Sequence, residues 1–167
     1  MVGQIPAPTV VPLRPRARDH ASVMAKAIRI VLGTLVALTL AGGLLVAVEL
    51  FSAVVYPMPP GSTNTKEEMC AHVAAYPHWI LAVVVPAWSG TALASTWVAT
   101  RLGGRVAGII VALLLFAAFV MNLAMLPYTL WFKVAMLICA PLACLLGVGL
   151  PRRPPINPGM ADAAPAQ

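Results

Sequence analysis

One carboxylate stands out in this sequence, because Glu49 lies within an apolar run that extends from residue 30 to residue 55. Acidic residues inside membrane-spanning segments are costly to insert, so they usually face a partner or a water-filled cavity rather than lipid. Glu49 is therefore the first candidate for electrostatic recognition of a ligand or for proton coupling.

Three further polar side chains lie near the same predicted depth. Counted from the prolines that bound the apolar runs, at a helical rise of 1.5 Å per residue, Glu49 lies about 12 Å inward, Lys133 about 9 Å and Asn122 about 7.5 Å. His78 lies just above them. Because unpaired charges at such a depth are expensive, we predict that Glu49 and Lys133 form an ion pair. Asn122 and His78 would complete its hydrogen bonds.

Each of these residues also has a simpler interpretation. Lys133 has a stem long enough to reach outward to the lipid headgroups. Glu49 can be protonated and hydrogen-bonded to Ser52 or to a backbone carbonyl. Asn122 is more often a hydrogen-bond partner between helices than a ligand contact. The sequence leaves these alternatives open.

A metal site is only weakly indicated. Glu68 and His72 are four positions apart and would share a helical face, but two ligands do not make a site. Cys70 lies between them, without a CxxC motif, and is either free or able to link two copies of the chain. Cys139 and Cys144 are predicted to pack as small apolar residues. We therefore predict no metal and no cofactor.

No catalytic constellation can be assembled from the sequence. It contains no nucleophile with a plausible base and orienting group, no glycine-rich phosphate loop after a strand, and no pair of intramembrane histidines suited to haem. We therefore do not expect an enzyme, although scattered residues could still carry a reaction.

The composition indicates an all-α membrane protein. Of 167 residues, 60% are hydrophobic and only 10% are charged, whereas soluble domains carry about 25% charged residues. Four apolar segments each reach the roughly 20 residues that a spanning helix needs. The predicted fold is a four-helix transmembrane bundle with spans at about 30–55, 78–99, 106–126 and 128–150.

The basic residues predict the orientation of the bundle. The net charge is +6, but most lysines and arginines lie on one side of a four-span topology: Arg14, Arg16, Arg18, Lys26, Arg29, Arg101, Arg105, Arg152 and Arg153. By the positive-inside rule, both termini are then cytoplasmic, and we predict the cell (cytoplasmic) membrane, which in a bacterial cell is the inner membrane. There is no basic stripe with interleaved aromatic residues, so we expect membrane lipid rather than nucleic acid as a partner.

The segments outside the spans are of two kinds. Residues 56–77 form a predicted outer loop, in which Thr65 and Glu68 match a capping box and indicate a short extracytoplasmic helix. Residues 1–25 and 151–167 are rich in proline and predicted to be disordered cytoplasmic tails. The leading segment and apolar run are too long for a typical cleaved signal peptide. All three tyrosines, at positions 56, 76 and 128, fall at predicted outer ends, as in an interfacial aromatic belt.

Two functions fit these features. In the first, the Glu49 and Lys133 pair lines an outward-facing pocket that binds or transports a small polar or zwitterionic molecule or a lipid headgroup. In the second, the same pair only fixes the register of the bundle, and the chain is an accessory or assembly subunit of a larger membrane complex. A ridge of small residues along the second span would also permit a homo-oligomer.

Overall fold

The computed structural model describes residues 17–63 and 65–150, and within these residues it contains five α-helices and no strand. The prediction of an all-α chain is confirmed. The helices are α1 (Ala17–Val55), α2 (Lys66–Ala74), α3 (His78–Gly103), α4 (Arg105–Met125) and α5 (Leu130–Gly149).

Four of these helices, α1, α3, α4 and α5, are long and apolar enough to cross a membrane. Their length and composition suggest a multi-pass membrane protein. Pro86 and Pro141 lie inside α3 and α5, and both helices continue through them.

The helix boundaries differ from the predicted spans at the residues that break helices. α1 begins at Ala17, so residues 17–25, which were predicted to belong to a tail, are helical; no proline or glycine interrupts them. The other tail predictions, for residues 1–16 and 151–167, lie outside the described residues. α3 extends through the predicted turn to Gly103, because only Gly104, with φ of 89°, leaves the helical conformation.

The helix α3 lies at the centre of the bundle. It packs against α1, α4 and α5, while α4 also contacts α1 and α5. The helices α1 and α5 do not contact each other. The order α1, α3, α5 across the bundle decides which polar side chains can meet.

At one end of the bundle the helices approach each other through glycines. A methyl group on Gly33 of α1 would lie 2.5 Å from the backbone nitrogen of Gly103 and 2.6 Å from its Cα. Arg29 donates a hydrogen bond from Nε to the carbonyl of Leu102 at 2.7 Å. We call this the glycine end; similar close contacts nearby join α4 to α3 at Gly108 and Thr100, and α5 to α3 at Gly147 and Thr96.

The opposite end carries residues 56–77 and is called the loop end. Here Thr65 caps α2, since its hydroxyl accepts a hydrogen bond from the amide of Glu68 at 3.4 Å. The Glu68 carboxylate does not return to the amide of Thr65, as in a complete capping box. It accepts instead from the amide of Thr63 at 2.8 Å and from its hydroxyl at 3.2 Å.

Aromatic rings attach α2 to the bundle. The His72 ring stacks on Tyr56, which follows α1, with centroids 4.8 Å apart. Tyr76 packs edge-on against both rings, at 5.4 Å from Tyr56 and 5.2 Å from His72. Val73 is the buried residue of α2. The short helix therefore packs on the loop end of the bundle.

Candidate ligand-binding cavity

A cavity of about 410 Å³ lies at the loop end, between α1, α3 and α4. Residues of α2 close one side of it. Its lining includes side chains from every helix except α5, whose preceding segment contributes Tyr128: Glu49, Ser52, Ala53, Tyr56, Met58, Met69, His72, Val73, Tyr76, Leu81, Val84, Trp88, Asn122, Leu126 and Tyr128. The volume lies within the range of small-molecule sites, about 300 to 1,000 Å³.

Glu49 is the one acidic residue that lines this cavity. It is followed one turn later on α1 by Ser52, a buried serine on the same wall. Among the described residues, the Glu49 carboxylate has no hydrogen-bond or ion-pair partner. The cavity therefore contains a carboxylate whose charge no other side chain compensates.

Trp88 forms the deepest part of the α3 wall. Its side chain is only 3% exposed, and its ring stacks on Phe119 with centroids 5.7 Å apart. Phe132 and Tyr128 pack edge-on against it at 6.1 Å and 6.5 Å. These contacts fix the indole, yet its Nε1 has no hydrogen-bond partner among the described residues. A buried donor without a partner is unusual and normally has a functional or solvent-related explanation.

Asn122, in the last turns of α4, presents a complementary group. Its Oδ1 is buried and also lacks a hydrogen-bond partner among the described residues. Asn122 lines the same cavity as Trp88, so the cavity walls contain a buried acceptor and a buried donor without partners among the described residues.

The charge of Glu49 acts on two phenols at the cavity mouth. The pKa of Tyr76 is raised by burial, then by the Glu49 carboxylate and by Tyr56. The pKa of Tyr128 is likewise raised by burial, then by Glu49 and Tyr76. Both phenols are therefore protonated at neutral pH and available as hydrogen-bond donors.

The structure brings Glu49 and Asn122 to one cavity but places Lys133 and His78 elsewhere. Neither of the latter two lines the cavity, and the His78 ring stacks on Trp131 of α5 at 6.1 Å. Lys133 belongs to α5, which is separated from α1 by α3. The predicted ion pair between Glu49 and Lys133 is not formed among the described residues.

The weak metal candidates have other contacts. The Glu68 carboxylate is bonded to Thr63, and the His72 ring stacks on Tyr56. Within the described part of the chain, no three or more histidine, cysteine, aspartate or glutamate side chains converge. Cys70, Cys139 and Cys144 are free thiols.

Sequence reasoning did not identify Trp88 or the tyrosines as cavity residues. The tyrosines fit an interfacial belt, and nothing in their spacing separates a belt residue from one that lines a cavity. The position of Trp88 could have identified it as a candidate, because it lies well inside its span. The other tryptophans, Trp79, Trp97 and Trp131, lie near helix ends. An indole N–H inside a membrane span needs a partner.

Comparison of the chain with protein-family models, with curated proteins and with solved structures finds no match. The geometry of the cavity is therefore the basis for a functional proposal.

Proposed function

We propose that this chain is a multi-pass protein of the cytoplasmic membrane that binds a small polar molecule in the loop-end cavity. The observation that carries the proposal is one cavity with an uncompensated carboxylate and two unpartnered polar atoms, contributed by Glu49, Trp88 and Asn122. Buried polar atoms such as Trp88 Nε1 and Asn122 Oδ1 are expensive unless something pairs with them. A bound molecule supplies those partners.

The charge distribution supports an orientation with the cavity facing outward. The glycine end carries Lys26, Arg29, Arg101 and Arg105. At the loop end, Lys66 is offset by Glu67 and Glu68. Since positively charged loops remain in the cytoplasm, we propose that the glycine end and both termini lie there and that the loop-end cavity opens to the extracytoplasmic side.

Native mass spectrometry of the full chain, released from a mild detergent, tests the binding function. The expected result is a small molecule that remains bound to the wild-type protein and is lost from Glu49→Gln. Lys133→Gln is the matched control, because it removes a charge at the same end of the bundle without altering the cavity lining. An unliganded wild-type protein, or equal retention by Glu49→Gln, would contradict the proposal.

Cysteine accessibility tests the orientation. Ser52→Cys is placed in a chain whose native cysteines, Cys70, Cys139 and Cys144, are replaced by alanine. A small cationic, membrane-impermeant thiol reagent should modify it in intact cells, because Ser52 lines the cavity. Ser95→Cys is the buried control. Modification of Ser52→Cys only after permeabilisation would place the cavity on the cytoplasmic side.

A second function, as an accessory subunit, is favoured by a different surface. An open apolar groove of about 430 Å³ runs between α1 and α3, lined by Leu44, Ala47, Val48, Phe51, Val83, Val84, Ala87, Gly90 and Thr91. A methyl group added to Gly90 would meet nothing within 4 Å. Small residues of this kind allow another helix to approach closely.

Gly90→Leu tests the second function, since its Cβ would meet nothing within 4 Å and its side chain would occupy part of the groove. The expected result for a subunit is a smaller complex in native gels of mild-detergent extracts. Gly42→Leu, which also projects into open space, is the control. An unchanged complex size in Gly90→Leu would remove the support for this function.

A further inference from the structure

We infer that the ligand of the loop-end cavity is an organic cation carrying a single positive charge, such as a substituted ammonium. This inference rests on the proposed binding function and specifies its ligand class. It departs from the zwitterionic ligand suggested by the sequence, which required Lys133 to line the same pocket as Glu49.

The charge of the cavity-lining residues favours a cationic ligand. Among the cavity-lining residues, Glu49 is the one carboxylate and no lysine or arginine is present. His72 also lines the cavity, but its ring is stacked on Tyr56 and meets Tyr76 edge-on. An anionic or zwitterionic ligand would place its negative group near Glu49 without a fixed positive charge to receive it. A cation instead compensates the carboxylate.

The aromatic residues of the cavity lining also favour a cation. Tyr56, Tyr76, Trp88 and Tyr128 all border the cavity. The face of an aromatic ring carries partial negative charge and attracts a cation within about 6 Å of the centroid, and aromatic cages recognise substituted ammonium groups in this way. Rings also tolerate the alkyl groups of such a ligand, which a purely polar cavity would not.

The hydrogen-bonding groups of the cavity lining indicate which polar groups the ligand carries. Asn122 offers an acceptor through Oδ1, and Trp88 offers a donor through Nε1. An acceptor in the same cavity as Glu49 suits the N–H or polarised C–H groups of an ammonium. The indole donor suits a hydroxyl or ether oxygen on the same ligand. A short amino alcohol or its alkylated form has both features.

A matched set of probes tests the inference on the full chain in a non-ionic detergent. Choline is the cationic probe, 3,3-dimethylbutan-1-ol is its neutral isostere, and glycine betaine adds a carboxylate to the same headgroup. Dissociation constants are measured by isothermal titration calorimetry at constant ionic strength. The expected result is that choline binds at least about tenfold more tightly than either other probe.

The Glu49→Gln variant separates charge recognition from shape recognition. It should abolish the preference for choline over its neutral isostere, whereas Lys133→Gln should retain it. Equal binding of choline and the isostere by the wild-type protein, tighter binding of glycine betaine, or no binding of choline would each overturn the inference. The native mass spectrum decides separately whether the cavity holds any ligand, so failure of the cation inference is distinguishable from failure of the binding function.

A competition experiment distinguishes a free cation from an ammonium in a lipid headgroup. Short-chain phosphatidylethanolamine is titrated into the choline complex, with short-chain phosphatidylglycerol as the control lipid. Displacement by the first lipid alone identifies the headgroup ammonium as the recognised cation. Displacement by neither identifies a free cation. Equal displacement by both would overturn recognition of positive charge.

Discussion

The two ends of the bundle differ in how closely the helices approach each other. At the glycine end, Gly33 and Gly103 bring the backbones of α1 and α3 so close that even one methyl group would overlap. At the loop end, a cavity of about 410 Å³ separates α1, α3 and α4. At the glycine end the helix backbones touch at these glycines, while at the loop end the helices enclose a cavity lined by polar and aromatic groups.

This difference indicates how stability and binding are distributed along the bundle. Helix association in lipid depends on close packing rather than on a hydrophobic driving force. The glycine end supplies that packing. The stability gained from that packing can offset the free-energy cost of leaving Glu49, Trp88 and Asn122 without partners at the loop end. Substitutions at the two ends should therefore have opposite consequences.

The largest effect is expected for Gly33→Ala. Its new methyl group would lie 2.5 Å from the backbone nitrogen of Gly103, which has no side chain that can move aside. We expect a loss of about 2 to 3 kcal/mol in the free energy of unfolding. Unfolding by SDS in mixed micelles, followed by circular dichroism, measures it.

Gly43→Ala is the matched control for that substitution. It lies on the same helix, and its methyl group would meet nothing within 4 Å. Because alanine has a higher helix propensity than glycine, the control should leave stability unchanged or slightly higher. Equal destabilisation by the two variants would remove the distinction between the two ends.

Asn122→Leu is expected to affect stability less than Gly33→Ala does, and to weaken ligand binding instead. Its Oδ1 is unpartnered, so its replacement by an apolar group of similar size should leave the free energy of unfolding unchanged or raise it. Binding of choline should nevertheless weaken about fivefold or more, since the acceptor is lost. Ser95→Ala, which removes an unpartnered hydroxyl that does not line the cavity, should change neither. A large loss of stability in Asn122→Leu with unchanged binding would reverse the assignment.

The smallest effect concerns the phenols. Since the pKa values of Tyr76 and Tyr128 are raised in the folded protein, their contribution to stability is complete below the unfolded value of about 10. It is lost as the pH rises towards the folded values, because the unfolded chain then releases its protons first. Absorbance at 295 nm should show part of the tyrosine signal appearing late in an alkaline titration.

Glu49→Gln sharpens that titration. It removes the second of the three causes of the raised pKa values of Tyr76 and Tyr128, so the late signal should move to lower pH. Lys133→Gln should leave it in place, because Lys133 is not among the groups that shift either phenol. An unchanged curve in Glu49→Gln would show that the carboxylate does not act on the cavity mouth.

Most of the fold could be predicted from the sequence. The four apolar segments, the short helix after Thr65 and the break before α5 follow from composition, a capping residue and Pro127, all of which act locally. The start of α1 could not be predicted from the apolar run, which begins at residue 30, because the helix continues through the more polar residues 17–29, where no proline or glycine breaks it. The end of α3 was misjudged by a few residues because only Gly104, not Gly103, leaves the helix.

The candidate site could be predicted only in part. Depth along a helix follows from counting residues, which correctly placed Glu49 and Asn122 near one level of the bundle. The neighbours of a helix do not follow from counting. Lys133 shares that level, but it belongs to α5, which contacts α3 and α4 and not α1.

The sequence by itself determined the number and character of the long helices, because a segment able to cross a membrane must be long, apolar and able to satisfy its backbone groups within one helix. Only the tertiary structure decided which helix lies at the centre and which side chains share a cavity. Those features depend on contacts between residues far apart in the chain, above all Gly33 with Gly103 and Tyr56 with His72. No local pattern encodes them.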